Sequence, residues 1–148
     1  MCLILFYNIF SFTKKVKRKR KEGQEGHILV MKILYKNKKV EKMCTNEKVA
    51  IKSLGIVVAE KLSAAINVLS SAANLKDILA LPQYHLHKLI GDLDGKYSMY
   101  LGRKTGYRLE IIPLDENEQK IQNEDMSLYT IAVCVEIERV SNHYEWKD

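Results

Sequence analysis

The spacing of apolar residues changes at Pro82, and that change limits what this chain can fold into more than any other feature. Before it, Val58, Leu62, Ala65, Ile66, Leu69 and Ala72 or Ala73 recur three and four apart, which gathers them on one side of a helix over 56–73. Glu60, Lys61, Asn67 and Ser70 fall off that stripe. After it, residues 84–89 (YHLHKL) alternate with a period of two, as a strand does. A helix with one broad apolar face needs something flat to cover, and a run of strands supplies it. The pattern predicts an α+β fold, with N-terminal helices packed on one face of a small, mainly antiparallel sheet.

The remaining elements fit around that switch. Residues 31–35 (MKILY) read as a short strand, with Ile33 and Tyr35 alternating against Lys32 and Leu34. Residues 38–43 can make a helical turn or two. Thr45 is a suitable N-cap for a helix over 46–52, and Gly55 separates it from the long helix. Asn74 can cap a short helix over 75–80 before Pro82 interrupts the chain. Residues 91–95 (GDLDG) form a turn. Strands at 97–101 and 107–112 flank 102–106 (GRKTG), a hairpin loop with two glycines. The acidic, amide-rich stretch 115–125 has no apolar period and reads as an exposed loop, and 128–140 reads as the last strand. No internal repeat is visible.

The chain has 148 residues, 47% of them apolar, which suits one domain with a packed core. That domain is expected at 31–148. Residues 1–30 read as an extension outside it. Residues 1–12 are apolar but fall short of the ~20 that span a bilayer, and the basic run follows them, whereas a signal peptide has its charge first. The extension reads as a mis-called start, an interfacial basic anchor or a nucleic-acid-binding arm. Codons for Gln24-Glu25-Gly26 can spell a purine-rich ribosome-binding sequence, which favours a start at Met31. Charge is polarised along the domain: 31–108 holds 14 basic and 6 acidic residues, and 109–148 holds 3 and 10. A basic surface able to meet a polyanion is one reading, and an ordinary solvated surface is the other. Cys2, Cys44 and Cys134 are odd in number and lack paired spacing, which favours thiols in a cytoplasmic protein over a disulfide framework.

A P-loop, GxGxxG, CxxC and serine elbow are all missing. His85 and His87, two apart on a strand, would share a face. They could contribute to a metal site only with a third ligand from His143, Cys134 or a carboxylate; exposed or hydrogen-bonded histidines are the simpler reading. What remains is His87, Lys88, Arg103, Lys104, Arg108 and His143. Cleavage of RNA by its own 2′-hydroxyl needs a group to take the 2′ proton, another to protonate the leaving 5′ oxygen, and cations to stabilise the charged transition state. Histidine and arginine suit those tasks, and no metal or cofactor is called for. The same residues also fit a plain basic surface.

The stretch 81–113 (LPQYHLHKLIGDLDGKYSMYLGRKTGYRLEIIP) resembles the core of HigB-type toxins of the RelE/ParE superfamily. Those proteins carry Leu-Pro, an L-H-x-L-x-G-D turn, a G-x-[YWF]-S strand and a [WY]-R-[LI] strand. This chain has Leu81-Pro82, Leu86-His87-Lys88-Leu89-Ile90-Gly91-Asp92, Gly95-Lys96-Tyr97-Ser98 and Tyr107-Arg108-Leu109 in the same order. The segment 135–144 is similar to the family's closing strand, and the segment from Lys38 to the paired-helix opening of its killer-protein subgroup. Together these cover nearly all of 31–144. The resemblance implies a toxin that cuts mRNA on the ribosome, with His87 and His143 as its histidines and Arg108 as its phosphate-binding arginine; Lys88, Arg103 and Lys104 would bind RNA. It implies a helix-turn-helix antitoxin as partner, operator DNA contacted only through that complex, and no membrane. Two positions depart: Ile90 stands where lysine is common, and Ser141-Asn142 where an Asp-Tyr pair precedes the last histidine. Other outcomes within the superfamily's range are a gyrase-inhibiting toxin and a catalytically degenerate module that only binds its antitoxin.

Overall fold

In the computed structural model, which describes residues 30–91, 93, 95–122 and 125–142, asparagine opens three helices. The Asn37 side chain accepts from the Val40 amide at 3.0 Å and starts α1 (Lys38–Thr45). Asn46 accepts from Val49 and starts α2 (Glu47–Leu54), and Asn74 accepts from Lys76 and starts α4 (Leu75–Leu79). Each satisfies an amide that the helix itself leaves unpaired. Thr45, the expected cap of the second helix, belongs to α1, where its Oγ1 donates back to the Glu41 carbonyl at 2.7 Å. Both residues are capping types, and the one in extended backbone takes the role. Gly55, at φ +80, joins α2 to α3 (Ile56–Ser71) in a conformation that side chains disfavour.

The sheet has strands β1 (Lys32–Tyr35), β2 (His87–Lys88), β3 (Tyr97–Tyr100), β4 (Tyr107–Leu114) and β5 (Cys134–Asn142), in the order β1-β5-β4-β3-β2. β1 runs parallel to β5 and every other pairing is antiparallel. This is the expected α+β architecture. The buried stripe of α3, including Val58, Leu62, Ala65, Ile66 and Leu69, meets Ile33, Met99, Leu101, Leu109, Ile111, Val135 and Ile137 from the sheet in one core. The helix ends two residues early, because Ala72 turns extended and its carbonyl accepts from the Met31 amide at 2.7 Å.

Two segments differ from the pattern reading. Residues 84–89 are not one strand. Pro82–Tyr84 forms a 3-10 turn, His85 adopts the left-handed region at φ 42, and only His87–Lys88 pairs with β3. Proline pre-sets the turn, and the alternation survives in one buried position, Leu86. The apolar run 128–140 is likewise split. Leu128–Ile131 makes a helical turn, α5, before β5 begins at Cys134. A short apolar run fits a buried helical turn as well as a strand, and Leu128 and Ala132 are core residues here. Residues 115–122 are mostly exposed, as expected, although Ile121 packs against the core.

The charge polarity of the sequence does not become two separate lobes. β5, from the acidic half, lies between β1 and β4. Lys32 pairs with Glu118, Lys36 and Lys96 with Glu138, and Arg139 with Glu110. No helix among the described residues is long and apolar enough to cross a membrane. Residues 1–29 and His143 lie outside the described residues.

Candidate functional site on the far face of the sheet

Side chains directly opposite one another on paired strands share a face of the sheet, and neighbours along a strand alternate between faces. Met99, Leu109 and Ile111 occupy the helix-covered face. Two rows therefore run across the other face: His87, Ser98, Glu110 and Arg139, then Tyr100, Arg108 and Ser141. A β-bulge falls beside them. Glu110 faces Arg139 while Ile111 faces Ile137, so Glu138 is the extra residue on β5.

The aromatic and cationic groups of this face cluster at one end. The rings of His85 and Tyr100 lie 4.8 Å apart, and those of His85 and His87 are also 4.8 Å apart. His87 meets Tyr100 edge-on at 6.1 Å. The Arg108 guanidinium carbon sits 5.6 Å from the centre of the Tyr100 ring, a cation–π arrangement. His87 Nδ1 lies 2.7 Å from the His85 carbonyl oxygen. A carbonyl only accepts, so Nδ1 carries the proton and the neutral ring keeps Nε2 as its acceptor.

The row beneath is held by charge. Arg139 donates through Nε to Glu110 Oε2 at 2.8 Å, and this bond raises the arginine's pKa above its ordinary value. Burial pushes the Glu138 carboxyl up, but hydrogen bonds and charge from Lys36 at 2.8 Å and Lys96 at 3.1 Å outweigh it and hold the group below the usual carboxylate range. Ser98 is fully buried, and its hydroxyl finds no hydrogen-bond partner among the described residues.

Of the residues singled out from the sequence, His87 and Arg108 come together around Tyr100. Arg103 and Lys104 are exposed in the loop between β3 and β4. Thr105 pins that loop: it donates to the Leu101 carbonyl at 2.6 Å and accepts from the Tyr107 amide at 3.1 Å. Lys88 is not brought beside His87. It pairs with Tyr97, whose side chain is in the core, so alternation assigns it to the helix-covered side. Ser141 stands opposite Arg108, and Ile90 is 92% exposed. Among the described residues no group of three His, Cys, Asp or Glu could hold a metal ion. Cys44 and Cys134 are both buried thiols.

Sequence reasoning missed Tyr100, and it weighed His85 as a metal ligand or as a plain exposed or hydrogen-bonded histidine. The hairpin register around 102–106 carried the signal for Tyr100, since a loop of that length sets it opposite Arg108. The turn at His85 had no comparable signal. A pocket of about 180 Å³, lined by Gly95, Ile112, Pro113 and Lys120 among others, contains none of these residues.

Chemically, the cluster combines an imidazole whose Nδ1 faces a carbonyl, a guanidinium suited to phosphate and an aromatic ring. No family model matches the chain, and no curated protein matches it either.

Proposed function

We propose that this chain is an endoribonuclease toxin of a toxin–antitoxin pair, cutting translated mRNA by metal-independent acid–base chemistry. The observation that carries the proposal is the far-face cluster, in which His87, with its Nε2 left to accept a proton, and Arg108 flank Tyr100. In this reading His87 Nε2 takes the 2′-hydroxyl proton. The 2′ oxygen attacks phosphorus, the bond to the 5′ oxygen breaks, and a 2′,3′-cyclic phosphate forms. Arg108 donates to the phosphoryl oxygens as their charge grows. Tyr100 offers a face on which a base can stack. An acid must protonate the leaving 5′ oxygen, and the family resemblance gives that task to His143. Exposed Arg103 and Lys104 extend the cationic surface along the RNA, and a helix-turn-helix antitoxin would mask it.

The test is to induce the chain in cells with and without the neighbouring antitoxin gene and to map RNA ends. The expected result is growth arrest, with new mRNA ends inside translated frames. Arrest without RNA cleavage would overturn the nuclease reading and favour a gyrase-type target. A second reading, a catalytically inert antitoxin-binding module, draws on Ile90. That exposed apolar residue stands where the resembling proteins often have a cation. A chain that binds antitoxin but neither arrests growth nor cuts RNA would decide for it.

A further inference from the structure

His85 has an exposed side chain and a backbone in the left-handed region, at φ 42 and ψ 53. Such a conformation is uncommon for residues other than glycine, although asparagine, aspartate and histidine adopt it more readily than the rest, and it invites an explanation. Part of it is local, because the residue closes the turn Pro82–Tyr84 and its amide donates to the Pro82 carbonyl at 3.1 Å. Glycine or asparagine would do that with less strain. The same backbone twist has a second effect: the His85 carbonyl accepts from His87 Nδ1 at 2.7 Å.

We propose that His85 is a positioning residue: its left-handed backbone presents the carbonyl that keeps the proton on His87 Nδ1 and so reserves Nε2 as a proton acceptor. A histidine whose ring proton is undirected spends part of its time as the other tautomer, in which Nε2 carries the proton and cannot accept one. A hydrogen bond at one ring nitrogen fixes the role of the other. Here the bond comes from main chain two residues away, so it depends on a torsion angle as well as on a side chain. The catalytic consequence rests on the nuclease reading above, but the tautomer itself does not.

The experiment compares the full chain with His85→Asn, His85→Gly and His85→Val. All three remove the ring contacts with His87 and Tyr100. Asparagine and glycine tolerate the left-handed region, whereas valine is a strong outlier there. The nitrogen-15 shifts of His87, read at a pH where its ring is neutral, report the tautomer. Protonated Nδ1 is expected in the wild type and in the Asn and Gly variants, with the proton moved to Nε2 for a large fraction of the Val variant. RNA cleavage by the Val variant should fall by on the order of tenfold or more, approaching the 10²–10⁴-fold typical of a lost general base, with the Asn variant retaining most of the wild-type rate. A Val variant that keeps protonated Nδ1 overturns the proposal. So does an Asn or Gly variant that loses it, since the ring would then be the holding element. Should the Val variant fail to fold, the Asn and Gly variants decide by the same criterion. A tautomer pattern as expected, with no chain cutting RNA, upholds the positioning role and overturns the nuclease reading.

Discussion

At the residue scale, two groups carry opposite kinds of consequence. Arg108 is half-buried on a far-face row, so Arg108→Ala should leave the fold intact while removing transition-state stabilisation. A loss in cleavage of on the order of 10²-fold or more is expected, by comparison with deletion of one oxyanion donor. His87→Ala should lower it by roughly 10²–10⁴-fold. Mapped RNA ends from matched amounts of folded protein check both, and full-strength cleavage by the two variants would show that the site lies elsewhere. Glu138 acts on stability. Its carboxyl is held below the usual range by Lys36 and Lys96 against the opposing effect of burial. The folded state therefore binds fewer protons than the unfolded state in the acidic window. Its contribution is present above the unfolded carboxylate pKa and is lost as pH falls through the folded one. Tm should drop on acidification through that range, and Glu138→Gln should flatten the slope while lowering Tm near neutrality. His87 and Arg108 were legible because histidine and arginine have few equivalents in RNA chemistry. The Glu138 cluster was not legible. A bulge and two lysines 42 and 102 residues distant create it, and nothing local marks it.

At the element scale, α3 shows what periodicity can and cannot say. Its stripe identified Val58, Leu62, Ala65, Ile66 and Leu69 as buried, because spacings of three and four admit a single helical face, but Ser70, read as off that stripe, is buried as well. Leu62 is fully buried in the core, whereas neighbouring Lys61 is exposed. Leu62→Asp should cost on the order of 4 kcal/mol or more by burying an unpaired charge, and Lys61→Asp only about 0.5 kcal/mol. Thermal melts of the two variants check this, and equal Tm values would mean the helix faces the other way. The stripe did not reveal that α3 is buried on a second side, where Ala59 meets Ala50 of α2. Small residues that allow close helix approach look neutral in a hydrophobic pattern. The segments at 84–89 and 128–140 were misread for a related reason. Neither an alternation over six residues nor an apolar run distinguishes a strand from a turn followed by a strand, and long-range pairing decides between them.

For the whole molecule, the boundary expected near Met31 is open to a direct test. Met31 is fully buried, its amide bonds to Ala72, and the next residue enters β1. A chain beginning at Met31 should fold with a Tm close to that of the full chain. Failure of the short chain alone to fold would mean that residues 1–30 contribute to the core. An antitoxin is expected to cover the far face, so Arg103, Lys104 and Arg108 should gain protection from chemical modification in the complex, while an inhibitor that leaves them open contradicts the proposed function. A first strand, then helices, then further strands, in an α+β fold with helices packed against the sheet, were legible in the sequence. Strand order was not, because alternation says which face a residue takes and nothing about which strand lies next to which.

That order has a consequence in time. Among the described residues β1 has a single neighbour in the sheet, β5, and Lys32 pairs with Cys134 across about a hundred residues. A chain emerging from the ribosome makes β1 first and its partner last, so the early strand waits with an unfilled edge through most of synthesis, and loop closure over that distance is slow. Tyr100 and Arg108 emerge earlier, and their hairpin can form without β5. The row through Arg108 and the row through Glu110 are completed only by Ser141 and Arg139. The far face is therefore complete only once β5 has paired with β4, after the hairpin that carries Tyr100 and Arg108.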